Sequence, residues 1–455
     1  MTRFKDAGET VGIDDLAVYV PRLFISTTGE FASARNIEPA KLTRGIGIER
    51  MSIPDAHEDS ATMAAMSMLD LMRRNDLEPE RIGRMYIGTE SAVDEAKAIG
   101  TYVIGMLEKV YGLGSFKECS TVELKSACIG TTHALENVCN WISCQDGGED
   151  EMVGAVIATD IARYSLGSPG EYTQGAGSVS MLVKRDPRML SLEKPIGVFT
   201  ANENDFFRPI GFGTAVVNGK HSNSCYISAM EGAFEFYKLK MLRRGAVNLN
   251  SGECLTDFVS HILFHIPYPR MVEYASTSIF SREWRDLPRW RQVEAEIGEE
   301  PSRDEFDDEK AYTKANAGYN KKFSKSRMFL EAFNSKVMDS TLISRQVGNA
   351  YTGSIYLGLA SLAEQGRLSP GERVLFGSYG SGCSAMMFSG IVQKDCTDMP
   401  ERRILKRIEE RLEISLEDYE LLHERTRPKS IVPPSGEFAL TGIDDQGYRH
   451  YDYIG

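Results

Sequence analysis

Two stretches of this chain repeat one pattern, and the repeat restricts the fold more than any single motif does. Residues 120–142, STVELKSACIGTTHALENVCNWI, begin β-branched and apolar, which reads as a short buried strand. They cross a small-residue turn and continue with Ala134, Leu135, Val138, Trp141 and Ile142 at helical spacing. Residues 347–368, VGNAYTGSIYLGLASLAEQGRL, again set a small-residue turn before an apolar helix. Later segments also match in kind: 168–185 is a glycine-rich loop running into a strand, and 372–392 is strand, glycine turn, strand. Such a chain is expected to fold as two similar α/β halves, each with a turn and a buried helix at its centre.

The segments between fit this plan. Residues 10–20 read as an opening strand ended by Pro21, and 58–74 as a helix with acids at its start and arginines in its last turn. The methionine stripe of that helix reads as core. RMYIGTES (84–91) is a strand, a helix lies near 101–110, and MVGAVIATDIARY (152–164) is a buried strand. Residues 186–225 are loop-rich. A helix at 228–243 and a strand in 257–271 open the second half, and 283–325 reads as a charged surface excursion. After Pro400 come an amphipathic helix, RRILKRIEERLEI, and a hairpin in GEFALTGIDDQGYRHYDY, both read as appended structure rather than chemistry. The expected units are therefore 1–195, 196–400 and 401–455.

Composition removes several classes of function. A formal net charge of −13 disfavours a general nucleic-acid surface, which needs clustered positive charge. No run approaches the ~20 apolar residues that span a bilayer. The N-terminal stretch MTRFKDAGETVG has no apolar signal core, so a cytoplasmic location is expected. The eight cysteines show no paired zinc-ligand spacing and are expected to be free thiols. His261 and His265 are four apart but not on a helix, so no metal is implied.

Four residues at strand ends or turns could carry chemistry. Cys128 lies in the turn before a helix, where free N–H groups and the macrodipole lower a thiol's pKa and make it a nucleophile. A buried structural cysteine is an equal reading of that stretch alone. His265, in FHIPYPRM, has apolar neighbours that strip water from an imidazole, although alone it reads as a satisfied core histidine. Asn349 opens the second half's helix. Cys, His and Asn at matched places suit acyl-thioester chemistry: attack, proton shuttling and oxyanion donation. Glu90 ends an apolar strand, where desolvation raises a carboxyl pKa toward that of a general base. The glycine segments do not match a dinucleotide or P-loop pattern. Arg270 suits a phosphate contact for a nucleotide-bearing carrier, or equally an idle surface position.

In order along the chain, GTES (88–91), ELKSACIGTTHAL (123–135), YTQGAGS (172–178), NENDFFRP (202–209), FHIPYPRM (264–271), GNAYTGSIY (348–356) and GSYGSG (377–382) resemble the 3-hydroxy-3-methylglutaryl-CoA synthase family. The resemblance runs from near residue 10 to near 450. It implies a thiolase-like α/β fold, two similar halves in a five-layer α-β-α-β-α arrangement, usually as a homodimer. It implies condensation of acetyl-CoA with acetoacetyl-CoA and water to give 3-hydroxy-3-methylglutaryl-CoA, in the mevalonate route to isoprenoids. No cofactor is implied, and an acetoacetyl-CoA thiolase is an expected partner enzyme.

By the same resemblance Cys128 is the acetylated nucleophile, Glu90 the base and His265 a proton donor. Asn349, Thr173, Ser222 and Ser381 match positions that contact the acetoacetyl group or the CoA arm. Arg270 replaces a lysine that the family often directs to the CoA phosphates, and Tyr274 replaces a second lysine. Three alternatives stay open: a carrier-protein-dependent synthase of polyketide β-branching, a ketoacyl-ACP synthase III-like enzyme, and a silent thiolase-fold scaffold. The GTES motif argues against the second, and intact Cys128, Glu90 and His265 against the third.

Overall fold

A computed structural model describes residues 10–455 apart from 147, 149, 150 and 400. Most of the polar N-terminal stretch read above, residues 1–9, lies outside the described residues, as does Pro400.

The first half supplies β1 (Val11–Tyr19), α1 (Ser60–Arg74), β2 (Ile82–Gly88), α2 (Ile99–Tyr111), β3 (Ser120–Leu124), α3 (Gly130–Ser143), β4 (Val153–Ala162) and β5 (Gly175–Arg185). Two short strands follow, β6 (Leu190–Leu192) and β7 (Gly197–Thr200). The second half supplies α4 (Gly219–Arg243), β8 (His261–Phe264), α5 (Arg270–Trp284), α6 (Ser354–Glu364), β9 (Arg373–Gly380) and β10 (Ser384–Val392). The tail adds α7 (Leu416–His423) and the hairpin β11 (Glu437–Ile443) and β12 (Arg449–Ile454).

Ten strands form one sheet in the order β8-β9-β10-β6-β1-β5-β4-β2-β3, with β7 also paired to β10. β6 is the joint, because it pairs with β1 on one side and β10 on the other. The two half-sheets thus continue into each other and face each other across α3 and α6, whose apolar faces share one core with both. α1 and α2 cover the outer face of the first half-sheet, and α4 and α5 that of the second. The result is the expected five layers. Apart from β3, the half-sheets are covered on both faces, and β4 and β9 are buried along almost their whole length.

Local signals explain the boundaries. Asp59 caps α1 by accepting from the N–H groups of Ala61 and Thr62, in a capping box with Thr62. Met63, Met68 and Met72 are fully buried, so the methionine stripe is core.

Several expectations change. β3 is an edge strand rather than a buried one, with Val122 41% exposed, because among the described residues no strand lies beyond it in the sheet. The strand expected in 257–271 shrinks to His261–Phe264, since Pro267 and Pro269 cannot extend the ladder and α5 starts at Arg270. The helix expected at 228–243 begins at Gly219, capped by Asn218. The excursion is helical, but it is not only surface: Trp284, Trp290, Tyr319 and Phe323 are buried in the core of the second half, with the Trp290 and Phe323 ring centroids 5.3 Å apart. The tail helix is only Ile404–Glu409, after which Leu412 and Glu413 pair with Leu23 and Phe24. Helix α7 was not expected at all.

Candidate active site

The site gathers where strands end. β2 runs parallel to both β3 and β4, so the segments after β2 and β3 and the end of β4 emerge on one side. Glu90 follows β2, Cys128 follows β3 and Asp160 lies near the end of β4. From the second half, His265 follows β8 and Asn349 precedes α6.

Close backbone contact fixes the Cys128 turn. A Cβ on Gly88 would stand 2.2 Å from the Thr131 nitrogen, and one on Gly130 would stand 2.7 Å from the Leu124 carbonyl oxygen. Only glycine lets the start of α3 seat against the end of β2. Ala127, just before the nucleophile, takes φ +44°, a left-handed conformation unusual for alanine. Cys128 Sγ consequently donates to Glu90 Oε1 at 2.7 Å.

This pair reverses one expectation. Burial first, and the Glu90 carboxylate second, push the Cys128 thiol well above its ordinary value. The helix start does not offset desolvation beside a negative neighbour. Cys128 is therefore a neutral thiol whose proton already points at a base. Burial, then Asp160, pushes Glu90 up to about 8, while the bond from Cys128 and the Arg208 charge pull it down. Asp160 is itself fully buried and, mainly for that reason, raised to about 6. Its Oδ1 accepts from Glu90 N–H at 2.7 Å and Ser91 Oγ at 2.9 Å, and its Oδ2 from Thr352 Oγ1 at 2.6 Å. It ties the Glu90 loop to the turn that carries Asn349.

His265 is buried, and burial lowers it to about 3, so its ring is neutral. Its backbone is held on both sides, N–H to Gly377 O at 2.8 Å and O from Tyr226 Oη at 2.8 Å. Nδ1 is sealed without a hydrogen-bond partner, leaving Nε2 as the nitrogen that can meet a ligand. Asn349 Oδ1 accepts from Tyr351 N–H at 2.8 Å and Ser354 Oγ at 3.0 Å, so its amide NH2 is the donor left for a ligand. Cys128, His265 and Asn349 line one cavity of about 340 Å³, together with Tyr164, Phe206, Tyr351 and Tyr379. Glu90 sits behind the sulfur.

A nucleophilic thiol, a raised carboxyl base, a neutral imidazole and an amide donor around one apolar-walled cavity are a condensing-enzyme set. Residues 7–187 match the family model for the hydroxymethylglutaryl-coenzyme A synthase N terminal, and residues 191–452 match that for its C terminal. The chain belongs to the hydroxymethylglutaryl-CoA synthase family.

Curated members of the hydroxymethylglutaryl-CoA synthase family bear this out. The enzyme of Haloferax volcanii is 35% identical over 98% of this chain and 99% of its own. That of Enterococcus faecalis is 32% identical over 92% of each. Among solved structures, MvaS in complex with 3-hydroxy-3-methylglutaryl coenzyme A aligns with a TM-score of 0.83 at 31% identity, over 98% of this chain and all of that one. The chain is thus an acyl-transferring condensing enzyme with the thiolase-like fold. Among the described residues no helix is long and apolar enough to cross a membrane.

The other residues expected from the hydroxymethylglutaryl-CoA synthase resemblance divide. Thr173, Ser222 and Ser381 line the cavity. Two of their hydroxyls are engaged within the protein, Thr173 Oγ1 donating to Gly170 O at 2.8 Å and Ser222 Oγ to Asp205 Oδ2 at 3.2 Å. Arg270 does not line it. This residue opens α5 and pairs with Glu273 at 2.6 Å, one position from the wall residue Met271. Tyr274 stands beneath the Arg270 guanidinium.

Sequence reasoning missed Asp160 and Asp205. Both carried a signal, a lone acid within an apolar run and an acid inside a recognised motif. Asp205 is fully buried and accepts from Tyr379 Oη at 2.8 Å and Gly382 N–H at 2.9 Å. The tail also reaches the site: His423 Nε2 lies 2.8 Å from Tyr164 O, and Tyr419 Oη donates to Glu171 Oε1 at 3.0 Å. These contacts fasten the 164–174 wall, so the tail is more than an appendage.

Proposed function

We propose that the chain condenses acetyl-CoA with acetoacetyl-CoA and water to 3-hydroxy-3-methylglutaryl-CoA through an acetyl group carried on Cys128. Glu90 in its carboxylate form takes the thiol proton, the sulfur attacks the acetyl carbonyl, and CoA leaves as its thiol. Glu90 next takes a methyl proton from acetyl-Cys128. The resulting carbon adds to the ketone of acetoacetyl-CoA, and His265 protonates the oxygen formed. Glu90 then gives the methyl proton up to solvent and the His265 ring regains its own from solvent. Water cleaves the bond to Cys128 with the ionised Glu90 as base, and that proton passes to the departing sulfur. The Asn349 amide orients the acyl carbonyl, Thr173, Ser222 and Ser381 bound the acyl and pantetheine path, and Arg270 meets the CoA phosphates after turning from Glu273.

The observation that carries this reading is the 2.7 Å bond from Cys128 Sγ to Glu90 Oε1. One carboxyl group is within reach of the sulfur and of whatever the sulfur holds. The chemistry needs no cofactor or metal, because a thiol, a carboxyl group and an imidazole balance every proton. A CoA-bound acceptor is favoured by the 31%-identical relative described in complex with 3-hydroxy-3-methylglutaryl coenzyme A. A homodimer is supported by the edge of β3, with its exposed Val122. A cytoplasmic site, the mevalonate route and a thiolase that supplies acetoacetyl-CoA complete the reading.

Radiolabelled acetyl-CoA tests it. The wild-type chain should retain label and Cys128→Ala should not; an unlabelled wild type overturns the reading. Acetoacetyl-CoA should outperform an acetoacetyl carrier protein as acceptor, and the opposite preference moves the chain to polyketide β-branching.

A further inference from the structure

A second group of reactive side chains stands at the rim of the cavity, outside the machinery above. His221 and Cys225 are four apart in the first turns of α4, on one helix face. Glu203, from the loop before them, reaches the same place. His221 Nε2 is 3.1 Å from Glu203 Oε2 and 3.6 Å from Cys225 Sγ. One donor atom from each of the three lies within 4.8 Å of the others. With bonds of about 2.0–2.2 Å to nitrogen or oxygen and about 2.3 Å to sulfur, a tetrahedral ion holds its ligands roughly 3.2–3.6 Å apart. The two His221 distances nearly match that spacing.

The backbone around the group is fixed. Glu203 N–H donates to Gly382 O at 2.6 Å, and Ala201 N–H to Cys383 O at 3.0 Å. Asn218, the cap of α4, donates its N–H to Asp205 O at 3.0 Å, so loop and helix are fastened to each other. The only other such cluster among the described residues is His57, Glu58 and Glu437, where the Arg22 guanidinium already pairs with Glu437. That cluster holds its own cation.

We propose that Glu203, His221 and Cys225 form a binding site for one divalent transition cation of the zinc class. A thiolate, an imidazole and a carboxylate select such an ion over magnesium or calcium, which prefer all-oxygen sites. Three protein ligands leave the fourth position to water. Cys225 binds as the thiolate and releases its proton to solvent, and His221 binds through neutral Nε2. The His221 ring stands side-on to the sulfur, 3.8 Å from Nδ1 as well, so it must turn; its outer face is open to solvent. Gly219 and Ser222 of the same turn line the cavity, so the ion stiffens the rim through which substrate passes.

Cobalt(II) is the probe, added to the reduced full-length protein. One equivalent should bind, with the visible bands of a tetrahedral ion and a near-ultraviolet thiolate-to-cobalt charge-transfer band that zinc displaces. Cys225→Ser should abolish the charge-transfer band, and Cys128→Ala should leave it unchanged. Glu203→Ala, a change at a half-exposed loop residue that keeps the fold, should weaken binding about tenfold or more. A wild type without the band overturns the proposal. So does a band that survives Cys225→Ser, one lost in Cys128→Ala, or full affinity in Glu203→Ala.

Discussion

Cys128 Sγ donates to Glu90 Oε1 at 2.7 Å, across 38 positions of sequence and from the ends of two neighbouring parallel strands. Burial and then the carboxyl group, not the helix start, therefore govern the thiol. One base serves both the sulfur and the acetyl group that replaces its proton.

Replacing Glu90 with Ala removes that base. Acetyl label from acetyl-CoA should reach Cys128 more slowly, and condensation should fall by about two to four orders of magnitude, the usual worth of a general base. Single-turnover assays of each half-reaction separate the two effects. A variant that condenses at the wild-type rate assigns the base elsewhere.

The pH profile carries the signature of the raised carboxyl. Glu90 sits at about 8 against an ordinary 4.5 and acts only when ionised, so condensation should rise with pH through a limb near 8. In the acetyl-enzyme the thiol bond that lowers Glu90 is gone, which moves the limb upward. Asp160→Asn removes the negative neighbour and should move it downward. The sign for stability is opposite. Glu90 contributes fully below about 4.5, and that contribution is lost as pH rises through about 8, because the buried group must then be charged. His265, neutral above about 3, should add no limb near 6.5. Pre-steady-state rates and thermal melts across pH measure both.

Gly88→Ala tests the seating of the nucleophile. The added methyl would lie 2.2 Å from Thr131 N and 2.4 Å from its Cα, backbone atoms that cannot step aside. Overpacking of this kind costs about 1–3 kcal/mol. A lowered melting temperature should come with weakened acetyl labelling, since the start of α3 carries Cys128 with it. Unchanged labelling separates the contact from catalysis.

Tyr419 and His423 test the tail. Tyr419 Oη donates to Glu171 and accepts from Gln174 Nε2 at 2.8 Å, and all three residues are buried. Tyr419→Phe should cost about 1–3 kcal/mol by leaving the Gln174 amide without its acceptor, while Glu171 keeps Arg35. His423→Ala frees the Tyr164 carbonyl and should raise KM more than it lowers kcat, because it loosens a wall and not a reacting group. Steady-state kinetics distinguish this from an appended tail, whose loss would move only stability.

Much of the fold was legible because it rests on periodicity and capping. The α1 stripe of Met63, Met68 and Met72, the β4 run and the repeat in α3 and α6 follow from local spacing alone. Helix α7 was not legible, since its short amphipathic run lies between loops and is held by distant partners such as Glu171 and Gln174. The aromatic residues that the excursion adds to the core of the second half were hidden by the charges on its outer face.

By itself the sequence determined that this is a duplicated α/β chain with a cysteine at a strand-to-helix turn, and its motif order pointed to the condensing family. Periodicity, small-residue turns and motif order are properties of neighbours along the chain, so they can be read there. The tertiary structure decided that β3 is an edge, that the Cys128 thiol is raised rather than lowered, and that Asp160 joins the Glu90 loop to the Asn349 turn. Edges, desolvation and charge pairing depend on what lies across space from a residue, and only the folded chain brings Glu90 to the sulfur of Cys128.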